Sequence, residues 1–163
     1  LTDHNTAEGA LRAAEMFPDL IIPGEEVMTT AGELLAWFVR ESVPPGLSPG
    51  EAIARLRDQG AMIGVSHPFD RYRSGAWQAD DLLNIVDKVD AIEVFNARCI
   101  HMEDNDRALA FAQERGVLMT AGSDAHEKGQ LGCRMAQTQQ TLKALGFDAV
   151  YTYEKMRPVR NEI

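Results

Sequence analysis

Residues 117–126 have the sequence Val-Leu-Met-Thr-Ala-Gly-Ser-Asp-Ala-His, in which an apolar run ends abruptly in an acid and an imidazole. Such a run predicts a buried strand that carries its chemistry at the C-terminal end. Asp124 and His126 are two positions apart, so on an extended backbone they project to the same side and can reach one cation together. The alternative is that Asp124 caps a turn and that His126 is a surface residue.

The same design, an apolar strand followed at once by metal-capable side chains, recurs along the chain. Residues 20–22 form a short β-branched-rich run that breaks at Pro23-Gly24 and is followed by Glu25 and Glu26, with residues 27–30 continuing extended. Residues 61–65 form a wholly apolar strand that ends in a segment containing His67. This repetition favours a functional role for the side chains at the strand ends.

Helical patterns lie between the predicted strands. Ser48, Pro49 and Glu51 fit the N-cap, first and third positions of a helix that Gly60 ends. A second capping pattern starts a helix at Asn5. Further helices are predicted over residues 80–89, 104–115 and 141–145, and further strands over residues 32–39, 91–95 and 149–153.

The order of these elements predicts the fold class. Strands that alternate with helices indicate a parallel α/β arrangement, in which each strand places its C-terminal end on one face of a sheet or barrel. Residues 29–32 are expected to form the turn that joins the strand before them to the strand of residues 32–39. The side chains at the strand ends are therefore expected to surround one pocket.

The composition is that of one soluble globular domain. The 163 residues are 45% hydrophobic and 25% charged, and no apolar run approaches the roughly 18 residues of a membrane span. The formal net charge of −9 disfavours broad nucleic-acid binding, so a phosphate-bearing substrate would need local cations. Cys99 and Cys133 match no zinc spacing, which indicates reduced thiols in a cytoplasmic protein.

The side chains collected from the strand ends form a candidate metal-binding set. Imidazoles together with carboxylates suit zinc, manganese or iron and disfavour calcium, which takes oxygen ligands. Several carboxylates that could bridge make two or more ions plausible. For any single histidine, a simple hydrogen-bonding role stays open. The candidates are Asp3 and His4, Glu25 or Glu26, His67, and Asp124 with His126.

Five motifs in a fixed order carry a family resemblance. They are Thr-Asp-His-Asn at the start, Pro-Gly-Glu-Glu-Val, Ser-His-Pro-Phe, Ile-Glu-Val-Phe-Asn and Gly-Ser-Asp-Ala-His. Together they span Thr2 to His126 and resemble the PHP (polymerase and histidinol phosphatase) superfamily. The resemblance implies one PHP domain over residues 1–163, with a distorted seven-stranded (β/α) barrel and a trinuclear metal centre that hydrolyses phosphoesters.

Carried over to this sequence, the resemblance implies a ligand set. His4 would bind one metal, Glu26 would bridge two, and His67 would bind one of the bridged pair. Asp124 and His126 would complete the centre.

Four other acids are weighed beside these ligands. Glu25 is the second choice for the bridging position, and Glu33 is a possible ligand one strand further on. Asp3 could orient a ligand from behind. Glu93, inside a predicted strand, is interpreted as a buried acid that supports a neighbouring strand.

The sequence departs from the family pattern at its first motif. A His-x-His at the end of the first strand is absent, so the first strand and helix are expected to be missing from this sequence. Two to three divalent ions, of zinc, manganese or iron, are expected in the complete protein.

The implied activity is hydrolysis of a small phosphorylated substrate by a hydroxide that the metals hold. Arg73 and Arg98, and also Arg71, could take phosphate oxygens, although each could be a solvated loop charge. His101 could donate a proton to the leaving group, or be a surface residue. The rival hypotheses are a non-catalytic PHP-like metal-binding or interaction module and a hydrolase of C–N bonds. The oligomeric state is not predicted.

Overall fold

The computed structural model describes residues 1–127, 130, 143, 149–154 and 157–162. Six strands form one sheet in sequence order, and two further strands pair with each other. The sheet comprises β1 (Thr2–His4), β2 (Gly24–Met28), β3 (Glu33–Trp37), β4 (Met62–Val65), β5 (Ala91–Asn96) and β6 (Leu118–Gly122), and the separate pair is β7 (Ala149–Glu154) with β8 (Arg157–Glu162). The described α-helices are α1 (Glu8–Met16), α2 (Pro49–Asp58), α3 (Ala79–Ile85) and α4 (Met102–Arg115), and a short 3-10 helix (Val86–Lys88) follows α3.

The sheet is mixed, so the expectation of a wholly parallel arrangement is wrong. β1 with β2, β4 with β5 and β5 with β6 are parallel, but β3 is antiparallel to both β2 and β4. The predicted turn at residues 29–32 explains the difference, because so short a connection can join only antiparallel strands. The Thr29 hydroxyl closes this turn by donating to the Gly32 carbonyl at 2.6 Å.

The seven-stranded barrel expected from the family resemblance is not confirmed. Within the described sheet, β1 and β6 lie at the two edges. The predicted strand over residues 149–153 exists as β7, but its described partner is β8. The helix predicted over residues 141–145 lies outside the described residues, apart from Lys143.

Local patterns account for some helix starts and fail at others. At α2 the Glu51 amide donates to Ser48 Oγ at 3.3 Å and the Ser48 amide donates to Glu51 Oε2 at 3.1 Å, so the predicted capping box is confirmed. The cap predicted at Asn5 is wrong. Its Oδ1 instead accepts the Met28 amide at 2.8 Å, which ties the start of α1 to β2.

The strand predicted over residues 20–22 is also wrong, because this segment forms a turn after α1. The amides of Leu20 and Ile21 both donate to the Phe17 carbonyl, at 3.0 and 2.9 Å. Extended backbone begins only at Gly24, where an added Cβ would lie 2.5 Å from the Ala36 carbonyl oxygen. A glycine is therefore required where β2 approaches β3.

The main core lies on one face of the sheet, where alternate side chains of β2 to β5 meet α2, α3 and α4. Against expectation, β6 is not buried: the Leu118 side chain is 64% exposed in the described structure. None of the described helices is long and apolar enough to cross a membrane. The core includes Val27, Leu34, Ala36, Ile63, Val65, Ile92 and Val94 from strands and Ile53, Leu56, Leu82 and Ala108 from helices.

Candidate metal centre

A cavity of about 460 Å³ opens on the other face of the sheet, between the edge strands β1 and β6. Because side chains alternate along a strand, Glu26, Leu35 and Glu93 point to this face while their neighbours enter the core. The cavity therefore collects polar side chains from several strands. Its lining comprises residues 1–4, 9, 10, 26, 35, 37, 66, 93, 96 and 120–126.

Two imidazoles and two carboxylates form a group that we call the inner cluster: His4, Glu26, Glu33 and His67. His67 Nε2 lies 3.1 Å from Glu33 Oε2 and 3.4 Å from Glu26 Oε1. His4 Nδ1 lies 3.3 Å from Glu26 Oε2 and 3.6 Å from Glu33 Oε1. Ligand atoms of His4, Glu26 and Glu33 all lie within 4.8 Å of one another, so a single cation could reach all three.

The pairing of the strands brings the inner cluster together. β1 pairs with β2 so that His4 lies beside Glu26, and the β2–β3 hairpin places Glu33 opposite Met28. Ser66, which follows β4, donates its hydroxyl to Glu26 Oε1 at 2.6 Å. Glu33, which the sequence offered only as a possible ligand, is therefore a full member of the cluster.

Glu25, the second choice for the bridging position, lies on the opposite face of β2. It is fully buried, and its two carboxylate oxygens accept the Val43 amide at 3.1 and 3.0 Å. Burial raises the pKa of Glu25, against the lowering effect of this hydrogen bond. Because neighbouring strand residues alternate, only one of Glu25 and Glu26 can face the cavity, and it is Glu26.

A second group, which we call the outer cluster, consists of Asp124, His126, Arg73 and Arg98. Arg73 Nη2 lies 2.7 Å from Asp124 Oδ2, and Arg98 Nη1 lies 3.3 Å from Asp124 Oδ1. Arg98 Nη1 also lies 2.6 Å from His126 Nδ1. Burial acts to raise the pKa of Asp124, but a hydrogen bond from Asn96 and the two guanidinium groups outweigh it and lower the pKa. Asp124 is therefore a carboxylate at neutral pH, paired with two guanidinium groups.

The two clusters meet at their histidines, where His4 Nε2 lies 3.0 Å from His126 Nε2. Side chains that are remote in the sequence are thus contiguous in the fold. The structure brings together the five residues that the resemblance implies as metal ligands, namely His4, Glu26, His67, Asp124 and His126. Their role in binding metal stays a prediction.

The burial and contacts of the His67 ring indicate whether the site suits a metal. His67 is 3% exposed; among the described residues its Nδ1 has no hydrogen-bond partner, and its Nε2 contacts only the carboxylates of Glu26 and Glu33. Burial acts to lower its pKa, but the carboxylates of Glu26 and Glu33 outweigh this effect and raise the pKa to about 10. A buried imidazole whose Nε2 faces two carboxylates matches the donor set that zinc, manganese or iron prefers.

Glu93 supports the inner cluster from β5. Its Oε2 accepts the His67 amide at 2.9 Å and the Asn96 side-chain amide at 3.1 Å. Burial raises the pKa of Glu93 to about 7, although these hydrogen bonds act to lower it. These contacts agree with the interpretation of Glu93 as a buried acid that supports a neighbouring strand.

Two of the candidate ligands adopt left-handed backbone conformations. The φ angle is 23° at His67 and 48° at Asp124, a region that residues other than glycine rarely occupy. Asp124 Oδ1 lies 3.2 Å from His126 Nδ1. The backbone reaches this arrangement through the left-handed conformation of Asp124, and not along an extended strand as expected. Unusual backbone angles of this kind concentrate at functional sites.

The remaining candidates lie around the two clusters. Asp3 Oδ1 accepts the His4 amide at 2.9 Å, so it holds the backbone of a candidate ligand and not its ring. His101 precedes α4, and its ring centroid lies 4.9 Å from that of Tyr72. Arg71 Cζ lies 5.8 Å from the same tyrosine ring. The catalytic role suggested for His101 stays a prediction.

One buried acid that supports the outer cluster, Asp70, could not be identified from the sequence. Asp70 is 1% exposed, and its Oδ2 accepts Arg73 Nε at 3.3 Å while its Oδ1 accepts the Tyr72 amide at 3.2 Å. An acid in a loop is ordinarily a surface residue. The sequence pattern that could have indicated Asp70 is the arginine three residues after it. An acid and an arginine at this spacing are too common to identify a functional residue.

Comparisons with known proteins connect this geometry to a family. A model described as PHP-associated matches residues 102–144. Two uncharacterized proteins of Methanocaldococcus jannaschii are similar in sequence: MJ0417 is 40% identical over 114 residues and MJ1587 is 33% identical over 100 residues. These matches cover 68% and 60% of this chain and 48% and 56% of the relatives, so the chain spans about half their length.

Solved structures share the fold. A protein of Bifidobacterium adolescentis named as a "putative metal-dependent phosphoesterase" superposes with a TM-score of 0.60 at 15% identity, covering 78% of this chain and 77% of its own. PsfC of Pseudomonas syringae superposes with a TM-score of 0.54 at 24% identity, covering 69% of this chain and 47% of its own. These likenesses show that this chain shares its mixed α/β fold, with a six-stranded sheet, with both structures.

The class of protein follows from these findings together. The family model and the shared fold support the assignment to the PHP superfamily that the ordered motifs predicted. The superfamily assignment made from the motifs is therefore confirmed.

Proposed function

We propose that this chain forms the catalytic centre of a metal-dependent phosphoesterase. The observation that carries the proposal is the contact between the inner and outer clusters, which places metal-type donors beside two arginines. The Bifidobacterium structure, named for the same activity, supports the proposal through its shared fold.

The two clusters would hold more than one divalent ion. Glu26 and Glu33 each approach both His4 and His67, so these carboxylates are suited to bridge. Asp124 and His126 would complete the set. Divalent ions bound there would supply Lewis acidity, which acidifies water and neutralises charge on phosphoryl oxygens.

The arginines would bind and orient the phosphoryl group. Arg73 is fixed on one side by Asp70 and directs Nη2 toward the centre, while Arg98 reaches it from the other side with Nη1. Planar guanidinium groups match the geometry of phosphate oxygens. In the absence of substrate both arginines contact Asp124, so a phosphoryl group would compete with that carboxylate for them.

Removing a ligand tests the proposal. We expect Asp124→Ala and His67→Ala each to lower the manganese-dependent release of phosphate from p-nitrophenyl phosphate by about 100-fold or more, because catalysis needs the complete ligand set. Far-ultraviolet circular dichroism should show that both variants fold. Asp80→Ala, an exposed acid of α3, is the matched control and should keep wild-type turnover.

Each contrary outcome has a defined meaning. Near wild-type turnover of either variant with saturating manganese would show that the substituted residue is not a ligand. Metal binding by the wild-type protein without phosphate release would favour the non-catalytic module. Release of amines from simple amides, without phosphate release, would favour the C–N hydrolase.

A further inference from the structure

We propose that Asn96, at the end of β5, is a positioning residue that holds the inner and outer clusters in one arrangement. This inference rests on the proposed function and deepens it, because it names a side chain that acts through the candidate ligands. Asn96 lines the cavity and is 1% exposed, so its side-chain amide faces neighbouring protein groups and not bulk water.

The side-chain amide of Asn96 connects the two clusters. Its Nδ2 donates to Asp124 Oδ2, in the outer cluster, at 3.1 Å and to Glu93 Oε2 at 3.1 Å. The same Glu93 oxygen accepts the backbone amide of His67, an inner-cluster residue, at 2.9 Å. A continuous path of hydrogen bonds therefore runs from His67 through Glu93 and Asn96 to Asp124.

Asparagine is the residue type that this position requires. Its NH2 group offers one hydrogen to each of the two acids, and its Oδ1 accepts the Arg98 amide at 2.9 Å. An ionised aspartate would place a third carboxylate beside Asp124 and Glu93 and would supply no donor. An apolar side chain would leave both acids without this partner. The donors and the acceptor of Asn96 are therefore matched to the site.

Packing fixes Asn96 and Glu93 from behind. Asn105 of α4 is 4% exposed; its Oδ1 accepts the Asn96 amide at 3.1 Å, and its Nδ2 donates to the Asn96 carbonyl at 3.2 Å. Gly122 of β6 leaves the space that Glu93 occupies, because a Cβ added there would lie 2.5 Å from Glu93 Oε1. Asn96 therefore holds Asp124 from a rigid base.

The path ends at two candidate ligands whose backbones need such support. The φ angles of His67 and Asp124 are both positive, at 23° and 48°. Conformations of this kind persist only where the surrounding structure holds them. The hydrogen bond that Glu93 accepts from the His67 amide and the one that Asn96 donates to Asp124 supply contacts of this type on both sides of the site.

Calorimetric titration with manganese tests the positioning role. We expect Asn96→Ala to weaken manganese binding by about 10-fold or more, because groups that orient metal ligands contribute on this scale. In the cobalt-substituted protein the visible d–d absorption bands should change, because they report the arrangement of the ligands, whereas a role confined to fold stability would leave them unchanged. Asn84→Ala, at an exposed position of α3, is the matched control and should bind manganese as the wild-type protein does.

The outcomes separate this inference from the proposed function. Either a wild-type affinity or a wild-type cobalt spectrum in Asn96→Ala would overturn the inference while the phosphoesterase proposal stands. If Asn96→Ala does not fold, Asn96→Ser, whose hydroxyl is too short to reach both acids, replaces it under the same criteria. Manganese binding without phosphate release by the wild-type protein would overturn the proposed function, and weakened binding with an altered spectrum in the variant would still support the role of Asn96. Absence of manganese binding by the wild-type protein would overturn both.

Discussion

His67 carries a proton at neutral pH in the metal-free protein, because two carboxylates hold its pKa near 10. This pKa lies above the ordinary histidine value near 6.5. The attraction between the His67 imidazolium and the two carboxylates therefore stabilises the fold fully at pH values below about 6.5. The stabilisation is lost as the pH rises through the folded-state value. A metal ion needs the neutral imidazole and must displace this proton.

We therefore expect metal binding at pH 7.5 to release protons. Calorimetric titrations of manganese into the apoprotein, in buffers with different enthalpies of ionisation, should give different apparent enthalpies. His67→Gln should release about one proton fewer, and affinity for the metal in the wild-type protein should fall as the pH is lowered. Identical enthalpies in all buffers would show that His67 is not protonated or does not bind the metal.

Residues differ in how far the sequence identifies them. Asp124 and His67 follow apolar runs, so their types and positions point to a strand end. Glu33 lies at the start of its strand, and its place in the site depends on the antiparallel pairing of β3. Asp70 depends on the path of a loop. Contacts across a sheet or within a loop have no local pattern, which is why these two acids were weighed too lightly or missed.

At the scale of elements, the loop after β4 shapes the inner cluster. The Glu33 amide donates to the Gly75 carbonyl at 3.1 Å, and Trp77 Nε1 donates to the Glu33 carbonyl at 3.0 Å. A Cβ added to Gly75 would overlap the Glu33 carboxylate. The loop therefore fixes the position of Glu33, a candidate ligand, without contributing a candidate metal donor itself.

We expect Gly75→Ala to weaken metal binding by about 10-fold or more, because it displaces Glu33 without removing any donor. Elemental analysis after dialysis against limiting manganese measures the effect. Gly50→Ala in α2 is the matched control: its Cβ meets nothing within 4 Å, and alanine favours a helix. Wild-type metal content in Gly75→Ala would show that the loop yields and that Glu33 keeps its place.

Elements were predictable where a local rule decides them. The start of α2 follows from a capping box, and the end of α4 follows from Gly116, which adopts a left-handed conformation at φ 66°. The strand prediction for residues 20–22 failed because an apolar run in a turn resembles a short strand. The antiparallel direction of β3 was not predicted, because the alternation of strands and helices along the sequence does not reveal a hairpin inserted among them.

At the scale of the whole molecule, the cavity lies between the two edges of the described sheet. β1 and β6 approach closely enough there for His4 and His126 to touch. The expectation that a His-x-His strand accompanies this domain stays a prediction. The PHP-type fold itself could be predicted because its motifs occur in order along the chain.

The β2–β3 hairpin also bears on how the protein folds. Its turn at residues 29–32 closes a short loop, whereas the pairing of β1 with β2 and of β5 with β6 joins more distant segments. Short loops cost less entropy to close, so we expect the hairpin to be formed in the folding transition state.

Stopped-flow kinetics in urea can test this order. Thr29→Ala, which removes the hydroxyl that closes the turn, should destabilise the protein by about 1 kcal/mol and slow folding about fivefold. Ala112→Gly in α4 should cost a similar free energy but mainly accelerate unfolding. Slower folding in Ala112→Gly together with faster unfolding in Thr29→Ala would contradict early formation of the hairpin.

Because Glu26 and Glu33 both lie on this hairpin, the acidic half of the site would be assembled before its imidazoles arrive, and a metal ion present during refolding would meet carboxylates first.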